Sequence, residues 1–252
     1  MNRKFVMRFT RSSAAKTVAD RVDGMMHTMS VADLLERPTY TMSQVDRLLG
    51  LPTGTARRWI DGYVRNGRTY DPVVRQRHTG EEMATWGEFI ETRLLAEYRD
   101  AGVPIINMRP AIAKLRTETR SQYPLAQSAN FVTPHGKELI QRVQEQVGLQ
   151  NELLLVVVRS GQLVMADPVE IFVDAVEFDD GTAVRMLPDP RLPDVKIDPL
   201  RAFGEPAVRS VPTEVIAEQV RAGDSEEMIS DLYELSLEQV HAAVLFEQRR
   251  SA

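Results

Sequence analysis

Apolar positions recur at helical spacing in two short runs separated by a sharp corner. Ser43, Val45, Leu48 and Leu49 fit one short amphipathic helix, with Thr41 or Ser43 as its N-cap. Gly50 ends that helix, Leu51 plugs the corner, and Pro52 cannot continue the first helix. Thr53 is placed to cap a second helix that presents Thr55, Arg57 and Arg58 while Ala56, Trp59 and Ile60 turn inward. The pattern predicts a helix-turn-helix. A reading helix that is polar and arginine-bearing in its N-terminal half suits a major groove and its phosphates.

Alternation replaces helical spacing just downstream. Tyr63-Val64-Arg65 and Arg68-Thr69-Tyr70 flank Asn66-Gly67, the strongest short hairpin signal. Arg65, Arg68, Arg75 and Arg77 recur along this stretch, which has the composition of a β-wing lying on a nucleic-acid backbone. Helical spacing then returns in Phe89, Ile90, Leu94, Leu95 and Tyr98, and again in Ile105, Met108, Ile112 and Leu115. Pro110 kinks the second run or marks its first turn. Leu139 to Val147 is a further short helix.

From Leu153 the period suggests strands. Leu153–Val158 and Gln162–Met165 flank a Ser160-Gly161 turn, and Val169–Phe178 alternates in part before Asp179-Asp180-Gly181 turns it into Ala183–Met186. Leu187 to Pro199 contains four prolines and reads as an extended linker. The C-terminal segment carries three amphipathic blocks, Pro212–Val220, Ser225–Leu232 and Ser236–Phe246, with serines and carboxylates at their starts. The expected fold is α+β: a basic arm over 1–37, a winged helix-turn-helix with following helices over 38–120, a β-rich middle over 121–196, and a three-helix module over 197–252.

Charge sharpens this picture. The chain of 252 residues has a formal net charge of −5, yet between Tyr40 and His78 seven arginines face three aspartates. That local asymmetry, not the total, bears on nucleic-acid binding. Arg3, Lys4, Arg8, Arg11, Lys16 and Arg21 make the first 21 residues basic and able to add phosphate contacts. Residues 165–200, by contrast, carry nine acids against three bases. There are no cysteines, and His27, His78, His135 and His241 lack metal-ligand spacing. No glycine-rich phosphate loop or nucleophile motif is present, so neither an enzyme, a metal nor a cofactor is expected. No apolar run approaches the roughly 20 residues that span a bilayer, and the N-terminus lacks the apolar core of a secretory signal. A cytoplasmic location is expected.

Two stretches resemble known families. Thr55-Ala56-Arg57-Arg58-Trp59 after its Gly-Leu-Pro corner, with Thr85–Leu95 and Tyr98–Pro104 downstream, looks like the MerR-like DNA-binding layout. Phe203–Arg209, Val215–Glu218, Arg221–Ile229 and Leu235–Ala243 are similar to a VapB-type antitoxin family, whose C-terminal module was catalogued as a domain of unknown function. One departure is that Ser210-Val211-Pro212 follows Arg209, where the family commonly has Gly-Thr-Arg. The resemblance implies an antitoxin that binds its own operator and neutralises a cognate PIN-like ribonuclease toxin. The expected DNA-contacting residues are Thr53, Thr55, Arg57, Arg58, Arg65, Arg68, Arg75 and Arg77, and Arg209 is the expected toxin contact. A homodimer is expected, because one reading helix covers a half-site. The alternative is a ligand-responsive MerR-like transcriptional regulator whose β-rich middle senses a small molecule.

Overall fold

The computed structural model describes residues 31–99 and 102–251. The fold is α+β, with the helix-turn-helix near the N-terminus and helices at the C-terminus. The arginine-rich segment before residue 31 lies outside the described residues, but the stretch expected to end an arm is ordered. Val31–Leu35 forms helix α1, with Leu34 and Leu35 buried.

Strand β1 (Pro38–Thr41) leads into α2 (Met42–Leu48), where Thr41 and Gln44 close a capping box. Helix α3 (Thr55–Ile60) follows the corner, and β2 (Tyr63–Arg65) pairs with β3 (Arg68–Tyr70) as the wing. Strand β4 (Met83–Thr85) returns antiparallel to β1, and Thr85 caps α4 (Trp86–Glu97) with a second capping box. A 3-10 turn then enters α5 (Arg109–Thr119), where Pro110 sits in the first turn and breaks nothing.

The middle contains α6 (Ala129–Val132), α7 (Pro134–Val147), β5 (Val156–Arg159), β6 (Gln162–Met165), α8 (Asp167–Ala175), β7 (Val176–Asp179) and β8 (Thr182–Met186). Both expected hairpins form, on turns whose paired residues have positive φ: Ser160-Gly161 and Asp180-Gly181. The expected strand over Val169–Phe178 is a correction: most of it is α8. Pro168 in the first turn fits the helix start, and Val169, Phe172 and Ala175 bury one face. A partial alternation hid this helical spacing.

One apolar core runs from Leu34 to Ile197 and takes in both the helix-turn-helix and the middle hairpins. The Trp86 indole donates to the Ala183 carbonyl at 2.9 Å, which ties α4 to β8. Residues 38–120 therefore share one core with the middle of the chain as far as Met186. The expected linker over Leu187–Pro199 is also corrected. Leu192, Val195 and Ile197 are buried, and β9 (Val195–Lys196) pairs with β10 (Ala207–Val208), which pairs in turn with β11 (Val211–Pro212). Helices α9 (Thr213–Ala222), α10 (Glu226–Tyr233) and α11 (Leu237–Ser251) complete a second, smaller core around Val195, Val208, Ile216, Ile229, Val240 and Ala243.

A buried carboxyl gives the larger core a pH dependence. Glu91 is fully buried, with Arg116 3.6 Å away and the Leu125 N–H donating to it at 3.0 Å. Burial outweighs the arginine and pushes its pKa from about 4.5 up to about 7. Between those values the native state holds a proton that the unfolded chain releases. Glu91's contribution therefore falls as pH rises through this window and is constant above it. Urea melts from pH 5 to 8 should show that decline, and Glu91→Gln should flatten it.

Candidate nucleic-acid interface

The corner is built around an aspartate that sequence reasoning passed over. Asp46, on α2 and only 6% exposed, accepts hydrogen bonds from the N–H groups of Gly54 at 2.6 Å and Ala56 at 2.7 Å. These are donors at the N-terminus of α3, which has no partner for them within its own helix. A carboxylate there is also favoured by the helix dipole. Thr53, expected to cap this helix, is exposed, and the N-cap position belongs to Gly54 at φ 80°. The signal available was an acid next to the inward-facing Val45 of α2. Asp46→Ala should cost about 1–3 kcal/mol, because it strands buried N–H groups. Chemical denaturation would measure the loss, and DNA affinity should fall with it as α3 loses its anchor to α2.

On α3, Ala56 and Ile60 are fully buried and Trp59 is partly buried, as the pattern predicted. Arg57 and Arg58 project outward. Arg57 forms an ion pair with Glu82 on the segment before β4, and Arg58 donates to the Thr55 hydroxyl at 2.9 Å. Thr55 itself is buried and holds Arg58, so its expected outward presentation is corrected.

The wing extends beyond this helix. Asn66 and Gly67 have φ of 52° and 73°, the geometry of a primed turn that suits the twist of paired strands. Tyr63 and Tyr70 stack at 4.5 Å with planes 4° apart, and Arg68 lies 5.4 Å from the Tyr70 ring centre. Arg65 and Arg68 are exposed at the tip, and Arg77 is exposed beyond the hairpin. Gly62 begins the wing at φ +72°, where a Cβ would fall 2.3 Å from the Tyr70 carbonyl oxygen.

Arg75 does not belong with these exposed arginines, and its assignment as a DNA contact is corrected. Its side chain is 6% exposed, and its guanidinium grips Glu88 with two bonds of 2.6 and 3.1 Å and Asp61 with one of 2.9 Å. It also donates to the Thr79 hydroxyl and the Met83 carbonyl. Asp61 is fully buried, yet donors from Thr79, Gly80 and Arg75 hold its carboxyl below the ordinary range. Arg75 ties the return segment behind the wing to α3 and α4; alternation around Val73 and Val74 gave no warning of that.

Arg209 lies apart from this interface, on the turn between β10 and β11. Its backbone has φ 57°, and its guanidinium donates to the Glu234 carbonyl at the end of α10, at 2.7 Å.

Comparison with known proteins agrees with this two-part layout. A family model described as "Putative DNA-binding HTH domain" matches residues 38–112, from β1 into α5. A second, "Protein of unknown function (DUF433)", matches residues 195–246, from β9 into α11. "Uncharacterized protein Rv2308" of Mycobacterium tuberculosis H37Rv is 37% identical over 227 residues, covering 87% of this chain and 94% of that protein. "Putative antitoxin VapB45" of the same organism is 28% identical over 224 residues, covering 82% and 92%. The crystal structure of Rv2018 from Mycobacterium tuberculosis superposes with a TM-score of 0.65 at 26% identity, covering 82% of this chain and 97% of that one. The chain thus belongs to the family of Rv2308, and it carries a helix-turn-helix domain followed by a DUF433 module.

Proposed function

We propose that this protein is a DNA-binding antitoxin, not an enzyme. It binds the operator of its own gene through α3 and the wing, as a homodimer with a MerR-like reading mode. Its C-terminal module neutralises a PIN-like ribonuclease encoded beside it in the same cytoplasm. The observation that carries the reading is the solvent-facing Arg57–Arg58 pair beside Arg65 and Arg68, on a domain matching a helix-turn-helix family. Similarity to "Putative antitoxin VapB45" supports the toxin partner in this reading. Arg209 is the proposed toxin contact, with Thr53, Arg57 and Arg58 facing DNA and Arg65, Arg68 and Arg77 on its backbone.

Deleting residues 201–252 would not separate the two roles. Gly204 accepts a buried hydrogen bond from Tyr40 in the reading domain at 3.0 Å, and β10 pairs with β9 across the cut. Co-expression of the full chain with the neighbouring nuclease should restore growth and yield a stable complex, and Arg209→Ala should weaken both. A chain that binds its upstream DNA but neither binds nor silences the nuclease would be the ligand-responsive regulator instead.

A further inference from the structure

Arg57 and Arg58 are neighbours on α3, yet they are held differently. Arg58 donates to a neutral hydroxyl, that of Thr55, whereas the Arg57 Nη2 donates to Glu82 Oε2. Glu82 lies immediately before β4 with its side chain 74% exposed, so the pair adds little to stability. What sets this pair apart is the mount beneath it. The buried Arg75 guanidinium donates to the carbonyls on either side of Glu82, those of Glu81 at 3.3 Å and Met83 at 2.8 Å. Asp61, the C-cap of α3, accepts from the N–H groups of Thr79 at 2.8 Å and Gly80 at 2.9 Å. From Met83 onward the chain is paired with β1, Met83 opposite Thr41. A solvent-facing carboxylate therefore stands on a backbone fastened to the same helix that carries Arg57.

We propose that Glu82 is a positioning residue for DNA recognition: it holds the Arg57 guanidinium ready for a guanine edge and withholds its charge from phosphates. The contact engages one hydrogen of Nη2, which leaves the opposite edge of the planar fork whole for the O6 and N7 acceptors of a guanine in the major groove. A long side chain that is already fixed loses less conformational freedom on binding, and that gain is realised only where a base edge accepts from it. Against the backbone of random DNA the same pair is electrically neutral, so Arg57 adds nothing to sequence-independent attraction. Removing an acid from a DNA-binding surface ordinarily tightens binding to every sequence. Here it should do so for random DNA alone. The inference rests on the reading of α3 as the DNA-reading helix and on Arg57 touching a base.

The test measures full-length parent, Glu82→Gln, Glu81→Gln, Arg57→Ala and Arg57→Ala/Glu82→Gln on labelled DNA from the protein's own upstream region and on a shuffled fragment, across a salt series, with thermal melts alongside. Glu82→Gln should weaken own-region binding roughly three- to tenfold, the cost of losing a pre-set side chain, and leave Tm unchanged. On the shuffled fragment it should tighten binding and steepen the salt slope by about one, the mark of a freed cation. In the Arg57→Ala background the same substitution should act on both fragments alike. Glu81, whose side chain is also 74% exposed, is the control for charge: Glu81→Gln should leave own-region binding undiminished. Glu82→Gln that tightens both fragments alike, or keeps own-region affinity within about twofold of the parent, overturns the proposal. So does a loss that persists without Arg57 or recurs in Glu81→Gln. An Arg57→Ala chain that keeps the parent's full preference overturns the base-reading role of Arg57 as well.

Discussion

Arg75→Ala should cost about 3–5 kcal/mol of stability, the penalty for removing one partner of a buried ion cluster. The loss exceeds that of the hydrogen bonds, because Asp61 and Glu88 would be left as like charges with little water: their side chains are 0% and 8% exposed. Against a total of roughly 5–15 kcal/mol for a domain, this consumes much of the margin. Arg75→Lys should recover little, since an ammonium cannot span both oxygens of Glu88 while reaching Asp61. Neutralising the carboxylates together with Arg75, as Asp61→Asn, Glu88→Gln and Arg75→Met, should restore a substantial part. Urea unfolding followed by the fluorescence of Trp59 and Trp86 would report all three. A fall below about 1 kcal/mol for the alanine variant would show that the cluster is not what binds the return segment behind the wing.

The second large effect is on DNA. Arg57→Ala and Arg58→Ala should each weaken specific binding by about 1–3 kcal/mol if the side chain reads a base edge, which is roughly five- to 150-fold. The double variant should lose the preference for the protein's own upstream region. Arg57 pairs with Glu82 in the open, a contact worth little to stability, so its removal should scarcely change Tm. Arg65 and Arg68, at the wing tip, should behave differently. Their replacement should lower affinity for all sequences alike and reduce the salt slope by about one per lost phosphate contact. A changed sequence preference after wing substitution would reverse this division of labour.

Much of the reading domain was legible because local rules agreed there. The capping box at Thr41, the corner at Gly50, the inward Ala56 and Ile60 and the primed turn at Asn66-Gly67 each follow from near-neighbour chemistry. The three C-terminal helices announced themselves through the same means, with Ser225 and Ser236 accepting at their starts. What escaped depends on contacts distant in sequence. Arg75 resembled Arg65 and Arg68 by composition, and only its meeting with Asp61 and Glu88 turns it inward. Asp46 acts eight residues downstream, across the corner. Glu82 looks like any exposed acid until the fold brings it, 25 positions on, beside Arg57. The helix at Asp167–Ala175 was lost to a partial alternation, although Val169, Phe172 and Val173 already had helical spacing.

The most direct test titrates the full chain onto labelled DNA from its own upstream region and onto a shuffled fragment of equal length and composition, across a salt series, for the parent and Arg57→Ala/Arg58→Ala. The parent should prefer its own region by roughly a thousandfold or more at physiological salt, with the gap between fragments persisting as salt weakens both. The double variant should bind the two fragments alike. A parent chain with equal affinity for both fragments, or a double variant that retains the full preference, would contradict the assignment of α3 as the element that reads DNA.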